Sequence, residues 1–165
     1  MNNWYQDINK YIYSNFEHPE LFIDLLAATS PRNHLKKNWN LALQLYNTRH
    51  NPDYSGVMRT YKSNVDRALR GEPLSGRKIT AFAANLKGDY SQITIDVWTA
   101  RYFGIEGYLS RKNFNRITNI IKAMAELAGI APAIMQAELW IRSLKQNGRK
   151  PVSYLSVIDY QLKLF

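Results

Sequence analysis

The chain has no cysteine, three histidines and no long hydrophobic run. The absence of cysteine excludes disulfides, thiolate zinc sites and iron–sulfur clusters. The three histidines show neither an i,i+4 pair nor a carboxylate at ligand spacing, so we expect no metal site and place them at the surface: His18, His34 and His50. Glycine patterns for phosphate loops or dinucleotides and serine nucleophile elbows are also missing, and we expect no cofactor.

Membrane association is not expected from this sequence. No apolar run approaches the roughly 20 residues that span a bilayer. The first 20 residues have no basic head followed by a continuous apolar stretch, as a signal peptide would. The sequence therefore favours a cytoplasmic protein with no membrane partner.

Positive charge is present in excess and is unevenly distributed. Lysine and arginine total 22 against 13 acidic residues, a net charge of +9. Residues 1–30 nevertheless carry one lysine and four acids, so the excess belongs to the remainder of the chain. A field of this sign attracts polyanions, of which nucleic acid is the commonest, although surplus lysine and arginine also serve solubility alone.

Apolar residues recur mostly at spacings of three and four along the chain, which predicts helices. Glycine and proline punctuate these stripes, with Pro31 and Pro132 suited to first turns. The stretch SQITIDVW alternates like a short strand, but its neighbours favour a helix. We therefore predict an all-α fold of about eight helices in a single compact domain over residues 1–165, and a monomer.

The segment LSGRKITAFAANLKG is the most informative one for function. It predicts a helix with Ser75 as N-cap and Gly76, Arg77 and Lys78 in the first turn. Cations at that end oppose the helix dipole, which makes sense if an anion binds there. With the preceding helix and a Gly/Pro link, the pattern predicts a helix-hairpin-helix over about 57–87.

The next segment, DYSQITIDVWTARYFG, predicts a second helix over about 91–104 capped by Asp89 or Ser91. Asp96 lies near its start and off the apolar stripe. An acid in that position is ordinarily explained by the helix dipole alone. Arg101 follows five residues later.

Together these segments resemble the helix-hairpin-helix DNA glycosylase superfamily, which includes endonuclease III. Its hairpin, L-P-G-x-G-x-K-T-A, is followed eighteen residues after the lysine by the aspartate of V-D-x-H-x-x-R. Here LSGRKITA and TIDVWTAR hold Lys78 and Asp96 at that spacing, with Arg101 at the place of the family arginine. The resemblance covers roughly residues 21–104. Small phage-encoded members share K-(I/V)-x-A-F-x-x-N … T-(I/V)-D and a later P-x-x-x-Q-A-x-x-W, matched here at its four fixed positions by Pro132, Gln136, Ala137 and Trp140.

This sequence departs from the superfamily pattern at two positions. Leu74-Ser75-Gly76 replaces the Gly-x-Gly hairpin and lacks one glycine, which puts the phosphate grip in doubt. Trp98 stands where the family usually has histidine. The iron–sulfur loop is also absent, as in several other members of the superfamily.

The resemblance implies a double-stranded DNA partner and residues for base excision. Lys78 would attack C1′ of the sugar and form a Schiff base, and Asp96 would stabilise the oxocarbenium charge. The target base must leave the stack, and aromatic residues then hold it; Trp39 and Trp98 are near the motif, although each is more often a core residue. DNA contacts would come from the hairpin, from Arg101 and from the segment AATSPRNHLKK, which is equally explained as a solvated helix start; the residues are Ser75, Gly76, Arg77, Arg101, Arg32, Lys36 and Lys37.

Three functions remain open at this point. The first is a small DNA glycosylase, with or without abasic-site lyase activity through a lysine Schiff base. The second is a DNA-binding protein of the same fold, of viral or bacterial origin, that has lost the chemistry. The third is a structural or partner-binding helical protein.

Overall fold

The computed structural model describes residues 3–162, and over that range the chain is helical without a strand. This confirms the all-α prediction, with nine α-helices in the described part rather than about eight. A short 3₁₀ turn, Arg59–Tyr61, leads directly into the fourth helix. The helices are α1 Trp4–Asn15, α2 Pro19–Ala28, α3 Leu35–Asn47, α4 Lys62–Leu69, α5 Arg77–Lys87, α6 Val97–Tyr102, α7 Arg111–Ala128, α8 Pro132–Gln146 and α9 Tyr154–Leu162.

The larger hydrophobic core is built around α2. Its sequence, PELFIDLLAA, is apolar on nearly all sides, and it packs against α1, α3, α4 and α5. Phe22 is fully buried, stacked on Phe16 with ring centroids 3.9 Å apart and meeting Trp39 edge-on at 4.8 Å. A helix that is apolar all round belongs at the centre of a bundle, which is where α2 lies.

A smaller core joins α6, α7 and α8. Ile117 and Ile121 on α7 and Leu139 on α8 are fully buried in it. The non-helical residues Ile93 and Ile95 add their side chains to the same cluster. The molecule thus has two apolar centres, with α8 contributing to both.

Several helix boundaries correct the sequence predictions. Within the segment predicted as a helix-hairpin-helix over 57–87, the first helix begins only at Lys62, after the 3₁₀ turn. The helix predicted over 91–104 spans only Val97–Tyr102, since the alternating stretch before it runs non-helically into the smaller core. Pro132 does begin α8, but Pro31 lies in a turn before α3.

No single helix in residues 3–162 is long and apolar enough to cross a bilayer. Helices α7 and α8 pass that length and composition test only when taken together, and they are bent by 106° at their junction.

Candidate functional site

A cavity of about 540 Å³ is lined on its apolar side by residues of the larger core, among them Tyr5, Ala137 and Tyr154. Its walls come from α1, the 30–38 segment, the start of α5, residues 94–98, α8 and the 149–157 segment. The volume lies within the range of small-molecule sites, roughly 300–1,000 Å³. It is therefore large enough for a nucleoside.

Lys78 and Asp96, which are separated by eighteen residues, both line this cavity. Lys78 is the second residue of α5 and is exposed, and Asp96 is partly buried. The two do not pair: the ion pairs found within residues 3–162 involve neither side chain. The ammonium group is therefore not neutralised by the carboxylate across the cavity.

Asp96 is held by two hydrogen bonds, one to each carboxylate oxygen. It is the N-cap of α6, where Oδ1 accepts from the Thr99 backbone N–H at 2.8 Å. Oδ2 accepts from the Trp140 indole Nε1–H at 3.0 Å. Because an ionised carboxylate has about four acceptor positions, both oxygens can still accept from a ligand. These bonds fix its orientation and give it a structural role as well.

Gln136 connects three helices directly behind the carboxylate. Its Oε1 accepts from the Tyr5 hydroxyl at 3.0 Å, and its Nε2 donates to the Thr99 hydroxyl at 2.9 Å. All three side chains are buried. Burial raises the pKa of the Tyr5 phenol far above its usual value, and the nearby Asp96 charge raises it further against a hydrogen bond with Thr94. The phenol therefore stays neutral.

The non-helical segment that leads to Asp96 is organised by Asn85, which is fully buried. Its Nδ2 donates to the backbone carbonyls of Asp89 at 2.9 Å and Gln92 at 2.8 Å. Its Oδ1 accepts from the Thr94 hydroxyl at 2.8 Å. The asparagine and threonine of the phage-type pattern thus hold the segment that carries the aspartate, and Thr94 also lines the cavity.

Aromatic rings form much of the remaining wall. Trp4 lies 6.0 Å from Trp140 and 6.4 Å from Phe82, measured between ring centroids, and all three line the cavity. Trp98 lines it as well, but Trp39 is 3% exposed and belongs to the larger core. Of the two tryptophans noted in the sequence, only Trp98 is at the site.

The hairpin end of α5 differs from the predicted arrangement. Gly76, not Ser75, is the N-cap, and its φ of 100° is a conformation that favours glycine. Ser75 is bound through its backbone by the Asn64 side chain, at 2.8 Å and 3.0 Å. The Arg77 guanidinium carbon lies 4.4 Å from the Phe114 ring centroid on α7. Ser75, Gly76 and Arg77 do not line the cavity, whereas Lys78 and Phe82, further along α5, do.

The other charged side chains on the cavity wall are basic. Arg32 and Lys36 were predicted from the sequence, whereas Arg149 and Lys150 were missed, because they lie in the loop after α8 that carries no recognisable pattern. The predicted Lys37 does not line the cavity. Asp96 is the single acid among the described lining residues.

Arg32 has an unusual backbone conformation. Its φ is 59°, the one positive value among the non-glycine residues of the described chain. It follows Pro31 in a turn closed by the Asn33 N–H donating to the Ser30 carbonyl at 3.2 Å. Glycine or asparagine normally occupies such a position. An exposed arginine held there at a cavity wall suggests a functional role for the side chain.

One comparison with known proteins gave a match. No curated protein and no solved structure matched the chain. The model of a family of unknown function, DUF7178, matches residues 2–147, which include every cavity residue except those of the loop after α8 and of α9. The chain therefore belongs to the DUF7178 family.

Proposed function

We propose that this protein is a DNA glycosylase with abasic-site lyase activity, and that the cavity receives a nucleotide turned out of the duplex. One observation carries the proposal: Lys78 and Asp96 line the same cavity, in which Asp96 is the single acid among basic described residues. An amine and a carboxylate that line one cavity are the two groups that this chemistry needs. The net charge of +9 supports a polyanionic substrate.

The chemistry assigns a separate task to each group. The Lys78 amine, in its neutral form, attacks C1′ while the electron pair of the C1′–N bond leaves with the base, which takes up a proton. Asp96 stabilises the positive charge that develops on the sugar and accepts the proton lost by the amine. Breaking of the C1′–O4′ bond then opens the ring, O4′ takes up a proton, and a Schiff base remains between Nζ and C1′. Loss of a C2′ proton to water with departure of the 3′ phosphate cleaves the strand. Trp4, Phe82 and Trp140 offer stacking surfaces for the base.

Borohydride trapping on a duplex with one abasic site tests the nucleophile. Reduction of the Schiff base makes a covalent protein–DNA adduct, which we expect for the wild-type protein. Lys78→Ala should give none. Lys122→Ala is the matched control, because Lys122 is an exposed lysine on α7 that does not line the cavity, and it should give the wild-type yield. An adduct that persists in Lys78→Ala, or the absence of an adduct from the wild type, would refute the lyase activity.

Asp96→Asn tests the carboxylate separately. Asparagine caps a helix about as well as aspartate, so the fold should persist, although the Trp140 indole loses its carboxylate acceptor. Removal of the charge should slow adduct formation by about 100-fold or more. An unchanged rate would remove Asp96 from the chemistry.

A second candidate is a DNA-binding protein of the same fold without catalysis. It is favoured by the hydrogen bonds on Asp96, which give that residue a sufficient structural role as helix cap and as partner of Trp140. This alternative predicts salt-dependent duplex binding with no adduct, and affinity unchanged in Asp96→Asn.

A further inference from the structure

Two arginines share the ring of Trp98. The guanidinium carbon of Arg101 lies 4.4 Å from the ring centroid and that of Arg149 lies 5.6 Å from it. Arg101 is on the same helix, α6, whereas Arg149 is on the loop after α8. Cation–π attraction favours this arrangement, but it brings two like charges together.

This positive charge is not compensated within the described chain. Neither Arg101 nor Arg149 forms any of the ion pairs found in residues 3–162. The Nε atom of Arg101 is buried and has no hydrogen-bond partner there. Lys150 adds a third cation beside Arg149, and both line the cavity. Arg101 itself does not line the cavity, but its guanidinium on the Trp98 ring adds positive charge beside these two cavity cations.

The loop that carries the two new cations is fixed in place. The Arg149 backbone N–H donates to the Leu144 carbonyl at 2.8 Å. Three residues on, the Val152 carbonyl accepts from the Trp4 indole Nε1–H at 3.1 Å. Binding groups held by such contacts lose little freedom when a ligand binds. This loop follows the segment matched by the family model, which ends at residue 147.

We propose that Arg149, Lys150 and Arg101 form a phosphate-binding site at the Trp98 edge of the cavity. Arginine is suited to phosphate because its planar fork donates two parallel hydrogen bonds to neighbouring oxygens. A phosphate at this edge belongs to the nucleotide whose sugar lies beside Asp96, two residues before Trp98. The naming of a DNA phosphate rests on the proposed function; the anion site itself does not.

Titration with inorganic phosphate tests the site without DNA. The indole N–H signal of Trp98, assigned by its loss in Trp98→Phe, should shift and saturate in a ¹H–¹⁵N spectrum. Arg149→Ala and the double variant R149A/K150A should lose most of that shift. The matched control is R111A/K112A, which removes an equally exposed arginine–lysine pair at the start of α7, outside the cavity, and should behave as the wild type. No saturable shift in the wild type, or an equal shift in R149A/K150A, would overturn the site.

A deoxynucleoside monophosphate and a DNA duplex, tested in the same way, show which phosphate the site binds. They also distinguish failure of this site from failure of the proposed function. If a deoxynucleoside monophosphate shifts Trp98 but a duplex binds equally well with and without R149A/K150A, the anion site takes free nucleotides and the DNA assignment is wrong. If R149A/K150A weakens the duplex and also removes the phosphate response, the assignment to DNA is supported. Borohydride adducts that depend on Lys78 while phosphate never shifts Trp98 would leave the glycosylase standing and remove only this site.

Discussion

The two hydrophobic cores differ in chemistry as well as in size. The larger one is rich in aromatic rings, with Phe16, Phe22, Trp39 and Tyr46 in mutual contact. The smaller one is mainly aliphatic and takes part of its wall from non-helical chain. Lys78 belongs to a helix of the first and Asp96 to a helix of the second. The candidate chemistry therefore depends on how the two cores are joined.

The joint between them is polar and fully hydrogen-bonded at its centre. Tyr5, Gln136 and Thr99 form a continuous chain from α1 through α8 to α6. Directional bonds set a relative position that apolar packing alone leaves less defined. Apolar packing in the two cores therefore provides most of the stability, and the polar side chains between them set the position of the site.

The largest effect is expected from Phe22→Ala in the larger core. It removes a fully buried ring from the aromatic cluster and should lower the free energy of unfolding by about 3–5 kcal/mol. Ile121→Ala makes the corresponding cavity in the smaller core and should cost about 2–4 kcal/mol. Urea unfolding measures both. If Ile121→Ala lowers the free energy of unfolding more than Phe22→Ala does, our expectation that the larger core is the more stabilising one is wrong.

Gln136→Leu should break the joint while both cores keep their packing. It leaves the Tyr5 and Thr99 hydroxyl groups without their buried partner, at a cost of about 1–3 kcal/mol. We also expect adduct formation to fall, since Thr99 and Asp96 share the start of α6. Gln92→Leu, an exposed glutamine, is the control and should change the unfolding free energy by less than about 0.5 kcal/mol. Equal effects in the two variants would mean that the polar joint does not matter.

The smallest effect on stability is expected from Arg32→Gly, which should instead weaken binding to duplex DNA. Glycine adopts positive φ without strain, so stability should stay the same or rise by less than about 1 kcal/mol. Duplex affinity should fall, with a salt dependence reduced by about one phosphate contact. Arg32→Ala keeps the strain and loses the charge, so it should bind as weakly and be less stable than the glycine variant. Undiminished duplex affinity in both variants would exclude Arg32 from the interface.

Helix periodicity was enough to predict the all-α fold, because most apolar stripes stay on one helix face. Periodicity could not predict the start of α6. The stretch through Ile93 and Ile95 is non-helical and puts both side chains into the smaller core, and a local pattern cannot show the helices that receive them. Ser75 was predicted as a cap from its residue type, but the left-handed φ of Gly76 moves the cap by one residue.

The candidate site was predicted only where a motif pointed to it. Lys78, Asp96, Arg32 and Lys36 came from the motifs and from a basic segment, and all four line the cavity. Gln136 and Trp140 were present in the sequence pattern, but their roles behind Asp96 depend on contacts across 37 and 44 residues. Arg149 and Lys150 could not be predicted, since nothing in the loop sequence indicates that it folds back onto Trp98.

The hydrogen bonds of Asn85 limit how far the segment between α5 and α6 can change in length. The Asn85 side chain fixes the connection between the two candidate catalytic groups through hydrogen bonds to residues 89, 92 and 94. A single residue inserted or deleted within 89–94 should therefore break these hydrogen bonds and displace Asp96 from its position in the cavity wall. These hydrogen bonds make the spacing of eighteen residues a geometric requirement. Related sequences should therefore differ in length in other loops.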